Sequence, residues 1–185
     1  NDITDLPVHK RVLRGLSRTF QINQLYADLT PLETIGLAVS ERMGRGSDWW
    51  RLMGTRDDVN GEIAENLARF HLLDVMNELT VTLPYGKQRL LEIALALATR
   101  PRVLLLDEPA AGIPAQASAE LFAVIADLPR DVTVLFIEHD MDLVFRFAER
   151  ITVMVGGKVL TEGTPDEVAA DPRVREVYLG EAGHA

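Results

Sequence analysis

The sequence predicts an α/β protein on a mainly parallel sheet, and three observations carry that expectation. Residues 103–106 and 132–137 are short runs, apolar but for Thr133, the second rich in β-branched residues. Between them Leu121, Val124, Ile125 and Leu128 repeat at helical spacing. Strand, helix and strand, with both strands apolar along their length, mark a parallel sheet covered on both faces. Finally, each run ends in a polar cluster, Asp107-Glu108 after the first and Glu138-His139-Asp140 after the second.

The elements follow in order. Residues 1–7 read as a loop and 8–16 as a short basic helix. Thr30-Pro31-Leu32-Glu33 places a hydroxyl at the cap, proline in the first helical position and Glu three residues after the cap, which is a capping-box start. Residues 42–54, rich in Gly, Arg and Trp without periodicity, read as a connection in which Trp49 and Trp50 pack. Over residues 59–73, Ile63, Leu67 and Phe70 fall on one helix face, and His71 in that stretch is read as structural. Residues 90–98 are almost wholly apolar, as in a helix buried on most sides. After 132–137 come a helix over 141–148, a third strand over 151–155, and a Gly156-Gly157 turn into 158–160. Thr164-Pro165-Asp166-Glu167 repeats the cap chemistry, and Asp171-Pro172 starts a last short helix.

Composition excludes several functions. The formal charge of −9 disfavours a phosphate-backbone partner, so no nucleic acid is expected. Residues 1–58 are neutral, and the whole acidic excess lies beyond them, where it reads as a solvated surface. With no cysteine there is no disulfide, no thiol nucleophile and no cysteine-bound zinc. No apolar run approaches the roughly 20 residues of a membrane span, so a soluble, cytoplasmic chain is expected.

Ligands of open parallel sheets sit beyond the carboxyl ends of the strands. The two polar clusters, on successive parallel strands, share that edge. Two carboxylates and an imidazole there suit metal-assisted phosphate hydrolysis. Asp107 could hold Mg²⁺, which takes one or two carboxylates plus phosphate oxygens. Glu108 could orient or deprotonate water, and His139 could hydrogen-bond a terminal phosphate oxygen. The bland alternative is that Asp and Glu after a strand cap the next helix.

Here a resemblance becomes specific. Val103-Leu104-Leu105-Leu106-Asp107-Glu108-Pro109 resembles the Walker B strand of the ATP-binding cassette ATPases, with its catalytic Glu. Leu83-Pro84-Tyr85-Gly86-Lys87-Gln88-Arg89 resembles their signature loop. Phe136-Ile137-Glu138-His139-Asp140 resembles the switch-histidine segment, and Arg18-Thr19-Phe20-Gln21 the Q-loop. Four motifs in the family's order cover most of the chain. The variant forms, with Ala110-Ala111-Gly112-Ile113-Pro114 and the ending at residues 174–181, resemble importers of branched-chain amino acids, with amide and urea importers of the same branch also open.

The resemblance implies a P-loop NTPase (RecA-like) three-layer core with an inserted α-helical subdomain. Residues 1–22 and 89–162 would form a partial core, 23–88 the helical signature subdomain and 163–185 a C-terminal helical tail. It implies ATP and Mg²⁺ as ligands, with Asp107 and Gln21 at the metal and Glu108 and His139 at the reacting phosphate. Leu83, Pro84, Tyr85, Gly86, Lys87 and Gln88 would face nucleotide held by a second ATPase subunit. Further partners would be transmembrane permease subunits and, indirectly, a periplasmic binding protein. The location would be the inner face of the plasma membrane.

Three departures stand out. Pro84 occupies the position of the usual signature serine and offers neither hydroxyl nor N–H. Pro114 stands where an acidic residue is common. Most telling are the lysines, of which there are three, Lys10, Lys87 and Lys158. A P-loop needs G-x-x-x-x-G-K-[ST]. Lys10 follows His9. Lys87 has Val81 and Gln88 at the other defining positions, and Lys158 has Thr152 and Val159. The 185 residues therefore hold no Walker A motif. The expectation is a chain corresponding to the C-terminal three-quarters of a subunit, binding ATP weakly alone and self-associating through an exposed sheet edge. Two rivals are a non-catalytic cassette acting as an interaction module, and an unrelated α/β hydrolase. The second lacks any G-x-S-x-G elbow or cysteine nucleophile.

Overall fold

A computed structural model describes residues 2–19, 25–44 and 57–181. The chain divides into two compact units, residues 1–138 and 139–185.

The first unit begins with α1 (Val8–Leu13), which Gly15 terminates at φ +87°. A side chain at Gly15 would also crowd Arg102, 3.2 Å from the Cβ position, where the Gly15 carbonyl accepts from the Arg102 and Val103 N–H groups. The next residues form β1 (Leu16–Arg18), so the helix expected over 8–16 stops early and a strand takes its place. β1 pairs in parallel with β2 (Val103–Asp107), Leu16 opposite Val103. β2 pairs in parallel with β3 (Thr133–Ile137), Asp107 opposite Ile137. The order is β1-β2-β3, with β2 central.

Leu104 and Leu106 on β2 are fully buried. Over the sheet lies α5 (Ala115–Ala126), whose Phe122 meets Phe136 of β3 edge-on with ring centroids 5.2 Å apart. Coverage of both faces does not extend to β3. Leu135 and Ile137 stand 59% and 61% exposed, because they alternate with the inward Val134 and Phe136 and no layer among the described residues covers them.

Among the described residues, the rest of this unit holds three helices, α2 (Pro31–Arg42), α3 (Asp57–Arg69) and α4 (Tyr85–Ala98), with two 3₁₀ turns, Leu73–Val75 and Thr80–Thr82. The Thr30 capping box is complete: the hydroxyl accepts from the Glu33 N–H, and the Glu33 carboxylate accepts from the Thr30 N–H. Ile35, Val39, Ile63, Leu67, Phe70 and Leu91 are buried. Gly36 of α2 faces Ile63 of α3, whose Cδ1 lies 3.7 Å from the Cβ position. The helix expected to reach residue 73 ends at Arg69. His71 takes a left-handed conformation (φ +52°), with the Leu72 N–H on the Leu67 carbonyl and the His71 N–H on the Ala68 carbonyl, a Schellman end.

The second unit holds α6 (Met141–Phe147), β4 (Ile151–Val155), β5 (Lys158–Gly163), α7 (Pro165–Ala170) and α8 (Pro172–Glu181). β4 and β5 pair antiparallel in a two-stranded sheet of their own. Gly156 and Gly157 both take positive φ, as a tight hairpin turn requires. The third strand foreseen in the sequence is therefore half of a hairpin, and the third member of the parallel sheet is β1. A second complete capping box at Thr164 opens α7. Ile151, Val153, Val168 and Val174 are buried. Among the described residues no helix is long and apolar enough to cross a membrane.

Candidate functional site

The parallel pairing of β2 and β3 sets their carboxyl ends side by side, since Asp107 registers with Ile137. Asp107 closes β2 with its side chain 31% exposed, and its Oδ2 accepts from Arg18 Nη2 at 3.0 Å. Glu108 follows at φ +46°, a conformation strained for a residue with a side chain. Backbone bonds hold it there: the Glu108 N–H donates to the Ile137 carbonyl, and the Glu108 carbonyl accepts from the Ala111 N–H, both at 3.0 Å. Glu138, the residue after β3, accepts from the Ala110 N–H through Oε1 at 2.9 Å. One carboxylate thus ties the turn after Glu108 to the neighbouring strand.

The other members of the second cluster differ in role. His139 follows Glu138 directly and opens the second unit. Asp140 caps α6, accepting from the Asp142 and Leu143 N–H groups at 3.1 and 3.3 Å, so the bland reading holds for it. Gln21 lies outside the described residues, as do Trp49 and Trp50.

Of residues 83–88, Leu83 ends the 3₁₀ turn, Pro84 is the N-cap of α4 and Tyr85–Gln88 form its first turn. Leu83 is buried in the core. Pro84 is the N-cap residue, and its carbonyl accepts from the Gln88 N–H. The Gln88 amide donates to the Leu83 carbonyl at 2.9 Å. Lys87 Nζ donates to both Asp74 oxygens, at 2.9 and 3.1 Å, and to the His71 carbonyl. Tyr85 has Arg89 over its ring, the guanidinium carbon 5.3 Å from the centroid, and the ring edge lies against Gly112. Gly86 lies close to Ile113 and Ala117. With these side chains engaged, what the loop offers an anion is the first-turn N–H groups of a 14-residue helix and its positive end.

Among the described residues no group of three or more His, Asp or Glu side chains could hold a metal by itself. The strand ends carry the carboxylates of Asp107, Glu108 and Glu138, of which Glu138 is taken by the Ala110 N–H and Asp107 supplies a hard oxygen donor. That fits Mg²⁺, which keeps waters and shares phosphate oxygens rather than sitting in an all-protein cage. Two residues of this arrangement went unassigned in the sequence. Arg18 opens the Q-loop match, where it was given no role of its own. Glu138 stood in the second cluster, but its bond to the Ala110 N–H has no sequence signal.

A parallel sheet with an Asp-Glu-Pro strand end, and a helix that begins in Pro-Tyr-Gly-Lys-Gln, is the arrangement of an ATP-binding cassette. Residues 1–111 match the ABC transporter family model, and residues 158–184 match the branched-chain amino acid ATP-binding cassette transporter model. The chain belongs to the ABC transporter family of ATP-binding proteins. It is 38% identical over 188 residues to the high-affinity branched-chain amino acid transport ATP-binding protein BraF of Pseudomonas aeruginosa, covering 98% of this chain and 74% of that protein. It is 37% identical over 185 residues to LivG of Salmonella typhimurium, which carries the same description, covering 96% and 72%. The ADP conformation of MJ1267, an ATP-binding cassette of an ABC transporter, superimposes with a TM-score of 0.76 at 28% identity, over 97% of this chain and 74% of that one.

Proposed function

We propose that this chain is the ATP-hydrolysing part of an importer of branched-chain amino acids. The observation that carries the reading is the end of β2, where Asp107 faces the open edge and Glu108 is held by backbone bonds in a left-handed conformation between two strands.

In this reading Asp107, with Gln21, holds Mg²⁺, which when bound neutralises phosphate charge. Glu108 orients the attacking water and accepts its proton. His139 hydrogen-bonds the terminal phosphate. Glu138 fixes the turn that carries Glu108. The start of α4, residues 84–88, presents N–H groups to nucleotide on a second ATPase subunit. The helical subdomain, residues 23–88, couples to a transmembrane permease, and the protein works at the cytoplasmic face of the membrane. Self-association would run through the sheet edge: β3 is a terminal strand of the described three-stranded sheet, and its Leu135 and Ile137 side chains are exposed, which supports the reading.

No lysine in the 185 residues meets the Walker A pattern, so this chain alone should hold ATP weakly. The same observation, with Pro84 in the signature loop, favours a second reading as a non-catalytic interaction module. Isothermal titration of Mg-ATP into the 185-residue chain tests the first point. The expected result is no low-micromolar binding, and low-micromolar binding would overturn it. Uptake of labelled leucine by cells carrying Glu108→Gln separates the two readings. Uptake is lost if the chain is catalytic and persists if it is a docking module.

A further inference from the structure

We propose that Arg18 is a built-in competitor for the metal at Asp107: its guanidinium holds the carboxylate while no divalent cation is present and gives it up when one binds. The proposal rests on the reading that Asp107 is the metal carboxylate.

The placement follows from register. Arg18 on β1 pairs with Leu105 on β2. Leu105 and Asp107 are two residues apart on one strand and so point to the same face. Arg18 therefore shares that face with Asp107, one step short of it along the neighbouring strand. A long side chain spans the gap, and Nη2 reaches Oδ2 at 3.0 Å.

The quality of the contact sets its role. A permanent structural pair would be buried and bidentate, with two parallel N–H···O bonds. This one runs through one nitrogen and one oxygen, with the side chains 54% and 31% exposed. An exposed pair of that kind is weak and screened. It can neutralise Asp107 without outcompeting a divalent cation and phosphate together. The guanidinium puts a positive charge beside the carboxylate, so a cation that binds there works against Arg18 whether it takes Oδ1 or displaces the guanidinium from Oδ2. Arg18 lies three residues before Gln21, so the displaced side chain belongs to the segment that also supplies the second proposed metal ligand.

The test uses Mn²⁺ alone, titrated into the whole 185-residue chain, with free Mn²⁺ read by electron paramagnetic resonance. Wild type, Arg18→Gln, Arg18→Lys and Asp107→Asn are compared, and circular dichroism checks that each is folded. The binding that disappears in Asp107→Asn isolates this carboxylate from the rest of an acidic surface. The expected result is that Arg18→Gln binds Mn²⁺ at that site about threefold more tightly, the size of effect a weak exposed pair supports. Arg18→Lys should fall between the two, and the difference should shrink as KCl is raised. Unchanged or weaker binding in Arg18→Gln, with the site still lost in Asp107→Asn, overturns the role of Arg18 while leaving Asp107 as the metal carboxylate. Full retention of Mn²⁺ by Asp107→Asn would show that this carboxylate holds no cation without phosphate, which overturns the competition by Arg18 and leaves the Asp107 reading to the Mg-ATP experiments.

Discussion

The Lys87 ammonium donates to both carboxylate oxygens of Asp74, at 2.9 and 3.1 Å, and to the His71 carbonyl that closes α3. A residue of the signature loop is thereby fastened to the turn after a different helix. The Lys87 hydrogen bond lowers the Asp74 pKa below its ordinary value. A folded carboxyl that titrates below the unfolded one stabilises the fold in full above the unfolded value, about 3.9. That contribution disappears as pH falls through the lower, folded value. Carbon-13 NMR of the Asp74 carboxyl should show the depressed titration in wild type and its return toward the ordinary range in Lys87→Met. Identical titrations in the two proteins would mean that the contact does not form in solution.

Gly112 sits at φ +75°, and a Cβ built on it would lie 3.4 Å from Tyr85 Cε1. The left-handed backbone asks for glycine, while the Tyr85 contact lies at the edge of ordinary van der Waals distance. Gly112→Ala should lower stability by about 1–2 kcal/mol, mostly from the left-handed conformation, because the ring contact is close to ordinary van der Waals distance. Urea unfolding measures it. Gly44→Ala, at φ +69° with nothing within 4 Å of the Cβ position, reads the backbone cost alone, so any excess loss at Gly112 measures the Tyr85 contact, and no loss at Gly112 would contradict the account.

Glu62 of α3 joins three elements. It accepts from Arg42 Nη2 of α2 at 2.6 and 2.7 Å, and from Arg100, which follows α4, at 3.0 and 3.2 Å. The Glu62 and Arg42 side chains are 18% and 21% exposed, whereas Arg100 is 68% exposed. Removing Glu62 leaves the Arg42 charge half-buried and unmatched. Glu62→Ala should therefore cost about 2 kcal/mol, below the range for a fully buried pair, and Arg100→Ala less than about 1 kcal/mol. Equal losses in chemical denaturation would show that exposure does not rank these pairs.

Local chemistry made part of this fold legible in the sequence. Both capping boxes at Thr30 and Thr164 were readable because their partners lie within one helical turn. The apolar runs of β2 and β3, and the Asp107-Glu108 end between them, were readable for the same reason. β1 was not, because Leu16-Ser17-Arg18 has no strand pattern and exists through pairing with residues 103–105, far away in sequence. The end of α3 was hidden because His71, not a glycine, takes the left-handed position. The Arg18–Asp107 pair joins residues 89 apart, a separation no periodicity can report. In the signature loop the residue types were readable, but the engagement of Lys87 by Asp74 depends on how α3 and α4 pack.

ATP hydrolysis by the complete membrane transporter, with Glu108 intact and with Glu108→Gln, tests the catalytic account most directly. Glutamine keeps the size of the side chain and its hydrogen-bonding reach but cannot accept the water proton. The account predicts a fall in kcat of about 100-fold or more, the scale of a lost general base, with the KM for ATP little changed. Turnover at the wild-type rate in Glu108→Gln would contradict it.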